Sequence, residues 1–280
     1  MLMNNLIFTL VVSVSGLLAG LLGSLTGLGG GVILVPLLTM VFGVDIRYAI
    51  GASLISVIAT SSGAGAAYVR EGFTNIRIAM FLEIATTLGA LVGASIARWV
   101  SPDLIAIIFG LVLLHSVYES MQNRHQETRP PRRNPLATRL RLNGSYPTAS
   151  GPREYYVRGV PAGASLMFIA GALSGLLGIG SGAVKVLAMD RAMGIPFKVS
   201  TTTSNFMIGV TAAASAGIYL HRGYIVPGLA MPVMLGVLLG SILGARLLPR
   251  TRTQHLRAVF SIVILVMAVE MLYKGITGRL

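Results

Sequence analysis

The chain has 280 residues, 54% of them hydrophobic and 11% charged, and a mean hydropathy of +0.78, which excludes an ordinary soluble domain. It has no cysteine, so disulfides, thiolate metal sites and cysteine nucleophiles are excluded. A net charge of +13 would suit nucleic acid, but eight arginines fall within residues 122–158 and most other cations sit at the ends of apolar runs, the distribution of a membrane protein and not of a nucleic-acid binder.

The chain opens on a stretch without charge from Met1 to Val44. Its start, MLMNNLIFTLVVSVSG, lacks a basic leader and a clear small-residue cleavage site, and reads as a retained transmembrane segment. Apolar pieces follow at about 5–26, 30–43, 48–69, 75–98 and 103–121. After the polar stretch 122–158 they resume at about 160–177, 181–194, 199–220, 225–248 and 255–273. Roughly 20 apolar residues cross a hydrocarbon core about 30 Å thick, so the predicted fold class is an all-α polytopic membrane protein. The second piece of each set is the exception. Fourteen helical residues reach only about 21 Å at 1.5 Å each, and a glycine cluster separates each from its predecessor. Each set therefore reads as a glycine-broken helical hairpin followed by three transmembrane helices.

The two sets are copies. Shifted by 151 residues, Ala19–Met121 aligns with Ala170–Leu272 without a gap, with 23 identities in 103 pairs. Gly27, Gly29 and Gly31 meet Gly178, Gly180 and Gly182; Gly43 meets Gly194; Ser53 meets Ser204; Tyr68 and Gly72 meet Tyr219 and Gly223; Gly89, Gly93 and Ala94 meet Gly240, Gly244 and Ala245; Glu119 meets Glu270. Shared apolar composition does not put glycine spacings and an isolated glutamate in one register. The expected organisation is a first transmembrane repeat over 1–121, an Arg/Pro-rich linker over 122–158 and a second repeat over 159–280.

Charge orients the repeats. If each short piece folds back to the side it came from, each repeat crosses an odd number of times and the two are inverted. With the linker inside, Arg70, Arg77, eight linker arginines, Arg191, Lys198, Arg246, Arg250, Arg252 and Arg257 fall on the inner side; Arg47, Arg98, Arg222, Lys274 and Arg279 fall outside. Outside the linker that is eight against five, and the parallel arrangement reverses it, so the excess of Lys and Arg expected of cytoplasmic loops favours inversion. The linker itself, rich in Arg, Pro and Ser without an apolar face, reads as a flexible cytoplasmic tether, or as a segment that touches anionic headgroups.

Non-helical backbone survives at membrane depth only where protein buries it or a wet cavity flanks it. Two glycine breaks at matching positions of two repeats point to a transporter's binding site. At such a break the restarted helix turns free N–H groups and the positive end of its dipole toward a bound anion. The candidate binding residues are Gly27, Gly29, Gly30 and Gly31 with Gly178, Gly180, Ser181 and Gly182. Lys185, within an apolar run, adds full positive charge; intramembrane ions are costly and mark function. Alternatively it pairs with Asp190 or reaches for the surface. Ser53 in the first repeat and Thr203, Ser204 and Asn205 in the stretch KVSTTTSNF supply hydroxyls and an amide that replace water around an oxyanion. Among the acids, Glu119 and Glu270 sit near helix ends, while Glu83 is deeper and is the candidate for ion coupling. Gly89/Gly93 and Gly240/Gly244 read instead as close-packing surfaces. No cofactor and no metal site is called for.

With GLGGGVILVPLL in the first repeat and GIGSGAVKVLAMD followed by MGIPFKVSTTTSNFMIGVTAAASAGIY in the second, the chain resembles the TauE/SafE family of sulfite exporters over nearly all its length except the linker. The resemblance implies a multi-pass permease of the bacterial inner membrane that exports sulfite or an organosulfonate such as sulfoacetate. The second repeat departs from the pattern after its glycines, with Val186-Leu187 where the first has Val35-Pro36, and with Lys185 close by.

The resulting expectation is a secondary transporter, ion-coupled in the absence of any ATP motif, whose partners are a small anion and the lipid bilayer; a homo-oligomer is open to it. An uncoupled anion channel is the alternative. A membrane scaffold would be indifferent to its glycine loops. A serine hydrolase built on Ser181 with His115 or His221 is disfavoured, because the glycine motif is duplicated and neither histidine is.

Overall fold

The computed structural model describes residues 5–26, 30–70, 72–121, 134–148, 151–247 and 253–278. The first repeat forms α1 (Asn5–Thr26), α2 (Gly31–Met40), α3 (Ile46–Arg70), α4 (Ile76–Ile96) and α5 (Pro102–Met121). A short helix α6 (Pro135–Arg139) and an antiparallel hairpin, β1 (Gly144–Thr148) with β2 (Gly151–Tyr155), come next. The second repeat forms α7 (Val160–Leu177), α8 (Gly182–Leu187), α9 (Phe197–His221), α10 (Pro227–Leu247) and α11 (Thr253–Thr277), with a π-helical turn, Ala188–Ala192, between α8 and α9. Each of the ten apolar pieces is a helix, and the molecule is a polytopic α-helical membrane protein. Both second pieces are short: α2 has ten residues and α8 six before its π turn. At 1.5 Å per residue neither approaches the ~30 Å of a hydrocarbon core.

Glycine punctuates both repeats alike. Gly43 and Gly194, which close the short pieces, have φ of +65° and +67°, and Gly72 and Gly223, ahead of the fourth helices, both have +74°. Equivalent positions thus adopt the same left-handed conformation, where a Cβ is penalised.

Packing joins the repeats reciprocally. α1 of the first lies along α10 of the second, and α7 of the second lies along α4 of the first. Glycines make both seams. A Cβ on Gly89 or Gly93 would strike the carbonyl of Phe168 or Ala172; one on Gly236 or Gly240 would strike that of Ser13 or Leu17. The close-packing reading of these glycines holds, and their partners are backbone of the opposite repeat. Equivalent helices also meet each other. Gly275, late in α11, lies on Asp103 and Ile107, early in α5, while Gly110 lies on Ala268 and Leu272, so the two cross antiparallel. α3 and α9 form the buried centre. Outside them, α1, α4 and α10 turn Leu10, Leu18, Ile84, Leu88, Leu235 and Leu239 outward, each more than half exposed. Apolar faces of that extent are stable against lipid and not against water.

The linker is a correction to the expected tether. Over residues 134–148 and 151–158 it is folded. Asn134 caps α6 by accepting the Leu136 N–H at 2.9 Å. Ala137, Leu142, Tyr146, Tyr155 and Val157 bury themselves against Ile78 of α4, Met167 of α7 and Met189 and Met193 beside the π turn. These side chains are scattered in sequence and converge only once the hairpin forms, so no single segment shows an apolar face. The Asn75 amide donates to the Tyr155 hydroxyl at 2.6 Å and the Arg158 N–H to the Met193 carbonyl at 3.0 Å, which fastens the linker to both repeats. Burial raises the Tyr155 phenol above its ordinary value, against the opposing pull of the Asn75 hydrogen bond. Four of the linker's eight arginines, Arg124, Arg129, Arg132 and Arg133, lie outside the described residues.

Candidate functional site

The second glycine break is a run of left-handed backbone. α7 stops at Leu177; Gly178, Gly180 and Ser181 then have φ of +69°, +70° and +48°, and α8 restarts at Gly182. An L-residue in this region costs roughly 1–2 kcal/mol, so Ser181 is held there by its surroundings. In the first break Gly27 and Gly29 lie outside the described residues. Gly30 forms the turn before α2, its carbonyl accepting the N–H groups of Ile33 and Leu34, and Gly31 begins the helix.

The two breaks meet. Ser53, in the second turn of α3, donates its hydroxyl to the Gly178 carbonyl at 2.8 Å and lies 3.5 Å from the Gly31 carbonyl. A Cβ on Gly31 would sit 3.1 Å from the Gly178 oxygen. The repeat counterpart of Ser53 behaves alike: Ser204 donates to the Gly182 carbonyl at 3.2 Å. Val57 of α3 and Ile208 of α9, equivalent by the repeat, close in on Gly180, whose Cβ would lie 3.3 and 2.6 Å from them. Backbone at membrane depth is therefore covered by side chains of both central helices, as burial of unpaired peptide groups demands. One polar atom there is left over. Ser181 is 2% exposed, and among the described residues its hydroxyl has no hydrogen-bond partner.

Lys185 sits one turn past Gly182 and is completely buried. It does not snorkel to a surface. Its ammonium donates to the Thr211 hydroxyl of α9 at 2.6 Å, and that hydroxyl donates onward to Oε1 of Glu83 on α4, also at 2.6 Å. Thr87 donates to the same oxygen at 3.2 Å, while Glu83 Oε2 is buried and has no hydrogen-bond partner among the described residues. The two charges that the sequence singles out separately, one in each repeat, thus form one unit through a hydroxyl, with Lys185 fully buried and Glu83 partly so.

The remaining candidates divide. Thr203 is buried, but its hydroxyl accepts the Asn75 N–H at 3.1 Å and so secures the turn before α4. Asn205 offers its backbone carbonyl, not its side-chain amide, to Ser61, which donates at 2.7 Å and in turn accepts the Gly209 N–H at 3.0 Å, a bridge between α3 and α9. Ser53, Gly31, Gly178 and Ser181 are gathered at the break; Lys185 and Glu83 are gathered beside Thr211. The sequence reading passed over Thr211 and Ser61. The signal for the first was present, since Thr60 and Thr211 are one of the 23 identical pairs of the repeat. Among the described residues, no group of three His, Asp or Glu side chains gathers to hold a metal ion.

Comparison with known proteins agrees with this architecture. Residues 12–271 match the family model described as sulfite exporter TauE/SafE. The chain is 26% identical over 274 residues to a protein named probable membrane transporter protein YunE of Bacillus subtilis (strain 168), which covers 95% of this chain and 98% of that one. It is 26% identical over 271 residues to probable membrane transporter protein MJ0441 of Methanocaldococcus jannaschii, covering 92% of each. A probable membrane transporter protein of Xylella fastidiosa (strain Temecula1) is 26% identical over 275 residues, 95% of this chain and 96% of that one. No solved structure matches. The family match spans both repeats and the linker between them, and the chain belongs to the sulfite exporter TauE/SafE family.

Proposed function

We propose that the chain is a secondary transporter that carries a small sulfur-containing anion, sulfite or an organosulfonate such as sulfoacetate, across the bacterial inner membrane, with export as the direction the family description implies. The observation that carries the reading is the meeting of Gly31 and Gly178 around Ser53, which joins the break of one repeat to the break of the other. Amide groups of the restarted helices, the unpartnered Ser181 hydroxyl and the Lys185 ammonium are the donors for an oxyanion there.

The antiparallel crossing of α5 with α11 supports inverted repeats, because copies related by an axis along the membrane normal would run parallel. With the site at their shared centre, rocking one repeat against the other opens it to either side in turn. The linker then lies in the cytoplasm, where its arginines satisfy the charge bias of inner loops. Glu83, the deep acid of α4, is the group through which an ion gradient drives the cycle.

Purified protein in liposomes tests the reading. Labelled sulfite or sulfoacetate should exchange across the membrane, with saturation and with mutual competition. Liposomes that show no flux of either beyond empty controls would end it.

A further inference from the structure

The unit Lys185–Thr211–Glu83 has a property that an anion site alone does not need. Lys185 is fully buried and its one donated side-chain bond runs to Thr211. The Thr211 hydroxyl has a single proton and two acceptors within reach, Glu83 Oε1 at 2.6 Å and the Met207 carbonyl at 3.1 Å. Glu83 Oε2 is buried and bare. Building on the transporter reading above, we propose that Glu83 is a built-in competitor of the substrate: its carboxylate and the transported anion take turns in balancing the Lys185 ammonium, and each bound anion brings one proton to Glu83.

The charge balance requires the exchange. In the anion-free site one cation faces one carboxylate, and the pair is neutral. When a monoanion takes the ammonium, the carboxylate loses its counter-ion inside protein, where an unpaired ion is far costlier than a neutral acid. It accepts a proton on the bare Oε2, and the site is neutral again. Thr211 follows by turning its hydroxyl from Glu83 to Met207. Glu83 is the carboxylate that the Thr211 hydroxyl reaches, and other titratable groups stand on the neighbouring elements. α7, packed on α4, has no titratable side chain. α9 has Lys198, Tyr219 and His221, all near its ends, and α4 has Arg77 at its start. The π turn carries Asp190 and Arg191. α5, which touches α8, carries Asp103 at its start, exposed His115 and Tyr118, and Glu119 near its end.

Methanesulfonate and isethionate are the probes, because both stay monoanions at every working pH. Binding to the purified protein between pH 6 and 9 should weaken with rising pH, approaching tenfold in Kd per pH unit, the slope of one proton taken up per anion. A pH indicator in weak buffer should report about one proton consumed per anion bound, by the same linkage. Glu83→Gln keeps the shape and an acceptor for Thr211. It should bind with a shallower pH slope than the wild type, take up fewer protons per anion, and bind more tightly than the wild type at pH 7. Glu83→Asp should restore the slope. Wild-type binding without proton uptake, or a Glu83→Gln slope as steep as the wild type's, overturns the competition and leaves the transporter reading standing. If neither sulfonate binds the wild type at any pH, the anion site itself is wrong and both fall together. The wild-type measurement decides even if the variants do not fold.

Discussion

Ser53 and Gly178 are 125 residues apart in the chain and are joined by a hydrogen bond of 2.8 Å, from a side chain of one repeat to the backbone break of the other. The Gly178 carbonyl is buried, and α7 has already ended, so no helical donor reaches it. Ser53→Ala removes the donor and leaves the acceptor in place, which costs about 1–3 kcal/mol for a buried group. The expected result is a lower melting temperature in detergent together with reduced anion flux. An unchanged melting curve would show that the break does not depend on this bond.

Gly180 and Gly217 predict opposite signs for the same substitution. At Gly180 φ is +70° and a Cβ would lie 2.6 Å from Ile208, so alanine meets both the left-handed penalty of roughly 1–2 kcal/mol and a side chain that has to move. Gly217 lies in α9 with nothing within 4 Å of an added Cβ, and alanine there should stabilise by roughly 0.5–1 kcal/mol. Thermal melting of the two variants side by side makes the comparison; equal shifts would contradict the geometry of the break.

Lys185 and Glu83 should be energetically coupled. Removing one partner of a buried pair costs about 3–5 kcal/mol because the other charge is left alone, while removing both costs much less. Lys185→Met and Glu83→Gln should each destabilise, and the double variant should be more stable than the sum of the two predicts. Thr211→Val, which deletes the connecting hydroxyl, should shrink the coupling. Additive effects in this cycle would mean that the two side chains do not sense each other.

The linker unit should respond to alkali. Burial holds the Tyr155 phenol above its ordinary value of 10.0, so the folded form keeps its proton longer than the unfolded one does. The stability this contributes is complete below pH 10 and drains away as the pH climbs past the ordinary value toward the raised one. Trypsin cleavage at Arg153 and Arg158 should therefore be slow at pH 8 and accelerate above pH 10, judged against a control substrate. Tyr155→Phe, which cannot bond Asn75, should be cut faster at pH 8 and lose much of the alkaline step.

The transmembrane architecture was legible because its signals are local. Apolar runs of membrane length, glycines at chain turns and the fixed offset of 151 residues all survive in a linear reading, and they place ten of the eleven α-helices among the described residues. Lys185 and Glu83 were each conspicuous as charges in apolar surroundings. Their connection was not, because it depends on α8 and α4 meeting across α9, and nothing in either segment specifies that approach. Thr203 shows the opposite error. It stands in a polar cluster at the start of a helix, and only the fold reveals that its hydroxyl faces the turn before α4. The linker hairpin was hidden for a third reason: Tyr146 and Tyr155, opposite Arg153 and Gly144 in the register, bring their rings to 6.2 Å diagonally across the strands in a segment whose composition is that of a disordered tether.

The reciprocal seams constrain how this protein is made. α1 and α4 leave the ribosome long before α10 and α7, the helices whose carbonyls their small residues are shaped to meet. Early helices must wait in the bilayer with their glycine grooves filled by lipid or by the insertion machinery. Maturation is then a late event, completed when the second half of the chain threads back to them, and a gene split within the linker should yield two fragments that are each degraded alone and rescued by co-expression.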